Sequence, residues 1–114
     1  MIERPNVLVV CGRNKRRSRT AEYIFKNDIR FQVRSVGVSP KSERQINAKD
    51  IIWSDLILVM DQNQKTRIIK TYRQQQLPKV VILDVDDIYE YQQPELVEIL
   101  TERINDTVNK VFGL

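Results

Sequence analysis

Four short apolar runs, alternating with stretches of helical spacing or helix-starting chemistry, constrain this chain more than any other feature. Val7 to Val10 is continuous and rich in β-branched residues, the pattern of a strand covered on both faces. Phe31 to Ser35 alternates as a strand does, "DLILVM" is a third run, and "KVVILDV" is a fourth. Between them, Ser18 to Lys26 predicts a helix with Ser18 at its N-cap or first turn, and Asn47 caps a short helix through Trp53. Gln62 to Tyr72 reads as a further helix. Pro94 suits a first helical turn and opens a last helix, in which Leu96, Val97, Leu100, Ile104, Val108 and Val111 recur at helical intervals. The order βαβαβαβα predicts an α/β fold, a four-stranded parallel sheet with helices on both faces. Ligands of such sheets bind at the carboxyl ends of the strands, beside the point where strand order reverses. Cys11 follows the first run directly, and Asp84 to Asp87 end the fourth.

At 114 residues the chain is expected to form one domain, 1–114, around one core. A hydrophobic fraction of 41% with only three Gly and four Pro predicts order throughout. No apolar stretch reaches the length of a membrane span, and "MIERPN" lacks the apolar core of a secretory signal, so the expected location is cytoplasmic, with no membrane partner. A single cysteine forms no intramolecular disulfide, which agrees with a reducing compartment. The chain has no histidine, so imidazole is excluded as general base and as metal ligand. Chemistry must then come from thiol, hydroxyl, carboxylate or cationic side chains. The net charge of +4 favours anionic partners without choosing among them.

The stretch "VLVVCGRNKRRSRTAEYIF" sets the one thiol between a strand and a helix N-terminus. Such a junction aims backbone N–H groups at one point and adds the positive end of the helix dipole, which welcomes an anion. Helix N-termini and nearby cations lower a cysteine pKa from ~8.5 to within ~3.5–7.5, so a thiolate nucleophile is available without histidine. Arg17, six residues after Cys11, can fold back and grip two phosphoryl oxygens with its planar fork, and Ser18 can hydrogen-bond the sulfur. The competing readings are plain: a lone cysteine after a strand is commonly a small core residue, and Arg13, Lys15, Arg16 and Arg19 form a solvated basic loop. For Lys15 and Arg19 the solvated reading is preferred.

The same stretch resembles the active-site segment of the low-molecular-weight protein tyrosine phosphatases, roughly V-C-x-G-N-x-x-R-S-x-x-A-E, with Cys11, Asn14, Arg17, Ser18, Ala21 and Glu22 in place. "VRSVGVSP" is similar to the family's S-A-G-T-S segment, "SDLILVMDQNQ" to its D-L-I-x-x-M-D-x-x-N segment, and "VDDIYEY" to its I-P-D-P-Y acid loop. The likeness runs in order from Val7 to Tyr91, closest to a compact bacterial branch of the family. It implies strand order 2-1-3-4 and a metal-independent phosphomonoesterase, a protein tyrosine phosphatase working through a cysteinyl-phosphate. Cys11 is the implied nucleophile, Arg17 the oxyanion clamp and Asp87 the general acid. Gly12, Arg13, Asn14, Lys15, Arg16 and Ser18 complete the substrate-binding loop. No cofactor or metal is implied, and the expected partner is a phosphotyrosine protein or a small aryl phosphate. With the implied order, strands one and four lie two spacings apart, about 10 Å, which a loop side chain covers.

Asp84 and Asp86 rival Asp87 as the acid, with strand-end capping and turn formation as their alternative roles. Asn14 either braces the phosphate loop or supplies a turn residue tolerant of unusual backbone angles. Ser35 either supports the same loop or simply ends a strand. Tyr89 and Tyr91 either flank a planar phosphoester or are half-buried, and Trp53 is assigned to the core. Three departures matter. Arg13 replaces the family glycine and adopts φ > 0 less readily, Ile88 replaces the acid-loop proline, and the segment between Ser39 and Gln45 lacks the length that usually carries an aromatic cleft wall. These make a second class credible, a phosphatase-fold module of weak or no activity that binds phosphoprotein or nucleic acid through its basic loop. No aromatic-rich RNA-binding motif accompanies the basic residues, so nucleic acid ranks lower. Arsenate reduction, a third reading, would need an external thiol, because no second cysteine is present.

Overall fold

The computed structural model describes residues 4–114; Met1–Glu3, part of the stretch weighed for a secretory signal, lie outside them. Eight elements alternate as the sequence predicts: β1 (Asn6–Cys11), α1 (Arg17–Phe25), β2 (Gln32–Gly37), α2 (Ala48–Trp53), β3 (Leu56–Val59), α3 (Gln62–Thr71), β4 (Lys79–Ile82) and α4 (Pro94–Phe112). The strands form one parallel sheet in the order β2-β1-β3-β4, with Val9 opposite both Ser35 and Leu58. Strand order reverses at β1, so the loop leaving Cys11 sits at the crevice where this topology places a ligand.

Alternation along the two central strands sorts the core into two layers. Val7, Val9, Leu56 and Leu58 point to one face, where Ala21 and Phe25 of α1 and Leu96, Leu100, Ile104 and Val108 of α4 cover them. Leu8, Val10, Ile57 and Val59 point to the other, under Ile51 of α2 and Ile68 of α3. Val7 to Val10 of β1 and the whole of β3 are therefore apolar and buried, as a doubly covered parallel sheet requires. Phe31, expected to open the second strand, precedes it instead and is wholly buried, its ring 5.4 Å from that of Phe25. Trp53 packs against the second layer, as expected, with the Arg34 guanidinium 4.1 Å from its ring centroid.

Local chemistry starts and stops the helices. The Asn47 side chain accepts from the Asp50 amide and the Asp50 side chain accepts from the Asn47 amide, a capping box that lets a six-residue helix form. Asp61 caps α3 through the Gln64 amide at 2.9 Å, Pro94 occupies the first turn of α4, and Gly113 ends α4 in the left-handed region at φ 72. The first helix is the exception. It begins at Arg17 rather than Ser18, and no side chain caps it. Ser18 is the second residue of the helix and its hydroxyl is engaged elsewhere.

Candidate active site

Cys11 is the last residue of β1 and only 3% exposed, so its sulfur forms the floor of whatever lies above. The chain then turns through Gly12–Arg16 into α1. Asn14 makes that turn possible: it takes φ 56, a conformation in which its short polar side chain still finds hydrogen bonds locally. Its amide donates to Cys11 Sγ at 3.2 Å, and its Nδ2 donates to Ser18 Oγ at 2.8 Å. Ser18 Oγ lies 3.0 Å from the sulfur, and because it already accepts from Asn14 its own hydrogen is free for Sγ. The two roles weighed for Asn14, brace and turn residue, thus hold together. Ser18 is thus the thiol partner that the sequence allowed, placed in the first turn of α1 and not at its N-cap.

Arg13 needs no left-handed backbone: among the described non-glycine residues only Asn14, Asp84 and Gln92 have positive φ. Its substitution for the family glycine therefore leaves the turn intact and adds a cation. The loop is backed by the end of β2. Val38 donates its amide to the Cys11 carbonyl and Ser39 to that of Gly12, at 3.0 and 2.8 Å. Gly37 approaches so closely that a Cβ there would stand 2.7 Å from the Asn14 nitrogen, 2.8 Å from the Arg13 carbonyl carbon and 2.1 Å from Ser42 Oγ. The short segment from Ser39 to Gln45 folds back on itself, with Gly37 bonded to both Arg44 and Ile46. Ser35 does not reach the loop. Its hydroxyl donates to Glu22 of α1 at 2.8 Å, so its support is to the helix.

Above the sulfur lies a hollow of about 490 Å³. Gly12, Arg13, Lys15, Arg16 and Arg17 line it from the first loop, and Asp87 reaches it from the loop after β4. Asn14 and Ser18 stand behind the sulfur, buried, and do not line it. Arg17, 6% exposed, donates from one guanidinium nitrogen to the Val85 carbonyl at 2.8 Å, with its Nε 3.7 Å from Asp87 and another contact of 3.9 Å to Asp61. The buried guanidinium is thereby pinned between the loops that end β1 and β4. An uncapped helix start and a buried cation at one hollow are the features that an anion site requires.

Of the three rival carboxylates, only Asp87 lines the hollow. Asp84 takes φ 59 and its carbonyl accepts from Arg103, the turn-forming role; Asp86 is exposed and lines nothing here. Tyr89 packs half-buried against the first core layer, while Tyr91 is exposed with the Arg19 guanidinium 5.9 Å from its ring, so neither lines the hollow and the half-buried reading holds for Tyr89 alone. Arg19 pairs with Glu43, as a surface residue does, and Lys15, exposed as its solvated reading expects, also lines the hollow. Three lining residues are not singled out as site residues by the sequence: Val38 and Ser39, which follow β2 within the "VRSVGVSP" segment, and Arg67 on α3, which carries no signal. Helical spacing marks Arg67 only as a surface position, and its place at the site follows from how α3 lies on the sheet. Among the described residues, no three His, Cys, Asp or Glu side chains gather as a metal ion requires, and no helix is long and apolar enough to cross a membrane.

No protein-family model matches the chain, and no curated protein matches it in sequence. Solved structures do match. A low-molecular-weight protein tyrosine phosphatase from Streptococcus pyogenes superposes with a TM-score of 0.78 at 18% identity, covering 95% of this chain and 93% of the other. The YwlE arginine phosphatase from Geobacillus stearothermophilus gives 0.69 at 19% identity, covering 93% and 94%. The tyrosine phosphatase Wzb from Escherichia coli K30, solved with phosphate, gives 0.70 at 17% identity, covering 97% and 99%. The likeness spans nearly the whole of each chain, includes the strand order 2-1-3-4 that the sequence resemblance implied, and shows that this protein has the fold of the low-molecular-weight protein tyrosine phosphatases.

Proposed function

We propose that residues 1–114 form one phosphatase domain that hydrolyses phosphomonoesters without a metal, acting as a protein tyrosine phosphatase through a cysteinyl-phosphate. The observation that carries this reading is the joint placement of Cys11, Arg17 and Asp87 at one hollow, with Asn14 and Ser18 both bonded to the sulfur. Cys11 Sγ, as the thiolate, attacks phosphorus opposite the ester oxygen; an S–P bond forms as the P–O bond breaks. Asp87 gives its proton to the departing phenolate. Arg17 and the amides of Gly12 to Arg17 hold the equatorial oxygens as charge redistributes. Water then attacks the cysteinyl-phosphate, Asp87 takes a proton from it, and phosphate leaves as the thiolate is restored. Lys15, Arg13 and Arg16 supply positive potential at the rim.

The partner is a phosphotyrosine protein or a small aryl phosphate, and a lone thiol suits the cytoplasm. Nucleic acid is not the expected ligand. The test is hydrolysis of p-nitrophenyl phosphate in the presence of a chelator. The wild-type protein turns over and Cys11→Ser does not; equal turnover in the two would sink the proposal. A phosphoarginine peptide run beside a phosphotyrosine peptide identifies the leaving group. Binding of either peptide by a wild-type protein that never turns over would favour the binding-module reading.

A further inference from the structure

We infer that the Cys11 hollow continues into a second anion subsite at Arg67, so that the substrate is a phosphorylated peptide with an acidic side chain beside the phosphorylated residue. The inference rests on the reading above only in placing the phosphoryl group over Cys11. Five cationic side chains line the hollow, and Asp87 is its single carboxylate. Two of the five are engaged: Arg16 lies 3.4 Å from Glu90, and Arg17 is held by Val85, Asp87 and Asp61. Arg13, Lys15 and Arg67 are exposed and have no ion-pair partner among the described residues. A phosphoryl dianion over the loop offsets part of this excess and leaves cationic charge at the rim.

Shape gives the excess a direction. Arg67 and Val38 line both the main hollow and a smaller one of about 100 Å³, whose other walls include Gln45, Ile46, Thr71 and Tyr72. The two hollows therefore adjoin, with Arg67 and Val38 common to both. The Tyr72 hydroxyl is already donated to the Ile46 carbonyl, which leaves the guanidinium as the charged donor there. A planar fork takes a carboxylate through two parallel hydrogen bonds, and the smaller hollow suits a short side chain rather than a second ring. Among the described residues no aromatic side chain lines the main hollow. Selectivity is thus built from charge at this rim, where an aromatic wall is missing.

The test reads binding rather than turnover. A phosphotyrosyl peptide with glutamates flanking the phosphotyrosine, and its counterpart with glutamines, are titrated into the Cys11→Ser protein at constant ionic strength, with fluorescence anisotropy as the readout. The acidic peptide should bind about tenfold tighter. Arg67→Gln in the same background should remove most of that preference. Lys49→Gln, which removes the same charge from α2 outside both hollows, should retain it. Equal affinities for the two peptides, no binding of either, a preference that survives Arg67→Gln, or one lost equally in Lys49→Gln would overturn the subsite. A wild-type protein inactive on p-nitrophenyl phosphate whose Cys11→Ser form still discriminates loses the phosphatase reading and keeps the subsite. An active enzyme without discrimination does the reverse.

Discussion

The loop that leaves β1 and the loop that leaves β4 meet at one hollow yet are built on opposite plans. In the first, Asn14, Arg17 and Ser18 are all under a tenth exposed, and side-chain and amide hydrogen bonds converge on the sulfur. In the second, Asp87 has a side chain 62% exposed and Ile88 stands 73% exposed beside it. The second loop is tethered at its ends instead. Val85 bonds Met60 and Arg17, Arg103 donates to the carbonyls of Leu83 and Asp84, and the Gln92 amide donates to Thr20. A group that must present a fixed set of donors to a developing charge gains from being preorganised, because no reorganisation is then needed during reaction. In the proposed reaction the proton donor must instead meet leaving groups of varied shape, and end tethers suit that role by leaving the centre of the loop room to adjust.

Breaking the anchor shared by both loops should have the largest effect. Arg17→Lys keeps a charge but loses the fork that spans the Val85 carbonyl and the hollow, so kcat should fall by about 10²–10³-fold. A steady-state assay in which this variant kept wild-type kcat would show that the clamp is not where the buried guanidinium sits. Disabling the second loop alone should cost less. Asp87→Asn should lower kcat by about 10²-fold on phosphotyrosine, and by less on p-nitrophenyl phosphate, whose leaving group needs a proton less. Equal losses on both substrates would remove Asp87 as the acid. Loosening the first loop comes next. Asn14→Ala removes the brace on Ser18 and puts alanine at φ 56, so stability should drop by about 1–2 kcal/mol and kcat by about tenfold. Denaturant unfolding and kinetics on one sample check whether the two losses go together.

The smallest effect should come from a site that touches neither loop. In the turn between α1 and β2, the Arg30 guanidinium bonded to Asp28 holds that carboxyl below its ordinary value of 3.8. Because the folded value is depressed, the stability it contributes is present above pH 3.8 and is lost as pH falls through the folded value. Asp28→Asn should therefore cost about 0.5–1 kcal/mol at neutral pH, and the gap from wild type should close below pH 3.8 while turnover stays unchanged. Thermal melts across pH 3 to 7, read as roughly placed endpoints, would expose an error if the gap widened in acid.

Much of this molecule is legible in its residue order because the deciding physics is local. Apolar runs fix the strands, Asn47 and Pro94 announce helix starts, and the Cys11 to Ser18 spacing places a thiol and a guanidinium at one turn. What escapes is what only packing decides. Ser18 can cap a helix or hydrogen-bond the sulfur, and its 3.0 Å distance to the sulfur decides between the two. Ser35 sits on the strand beside the loop, but alternation along β2 turns it toward Glu22 of the helix. Asp84, Asp86 and Asp87 are chemically alike, and the backbone turn at Asp84 separates them. Arg67 joins the hollow from an element fifty residues downstream of the loop by roughly that count, with no pattern of its own to announce it.

Gly37 has no side chain and takes no part in the proposed chemistry, yet the absence of a Cβ there lets the end of β2 lie against the turn at Asn14. Methylating that α-carbon, as alanine would, pushes on the main chain of Arg13 and Asn14 as well as on the Ser42 hydroxyl, and the main chain cannot swing aside as the hydroxyl can. Saturation mutagenesis scored by lost hydrolysis would therefore rank position 37 beside the reacting residues, and its tolerance profile would look like that of a chemical group although its contribution is only clearance.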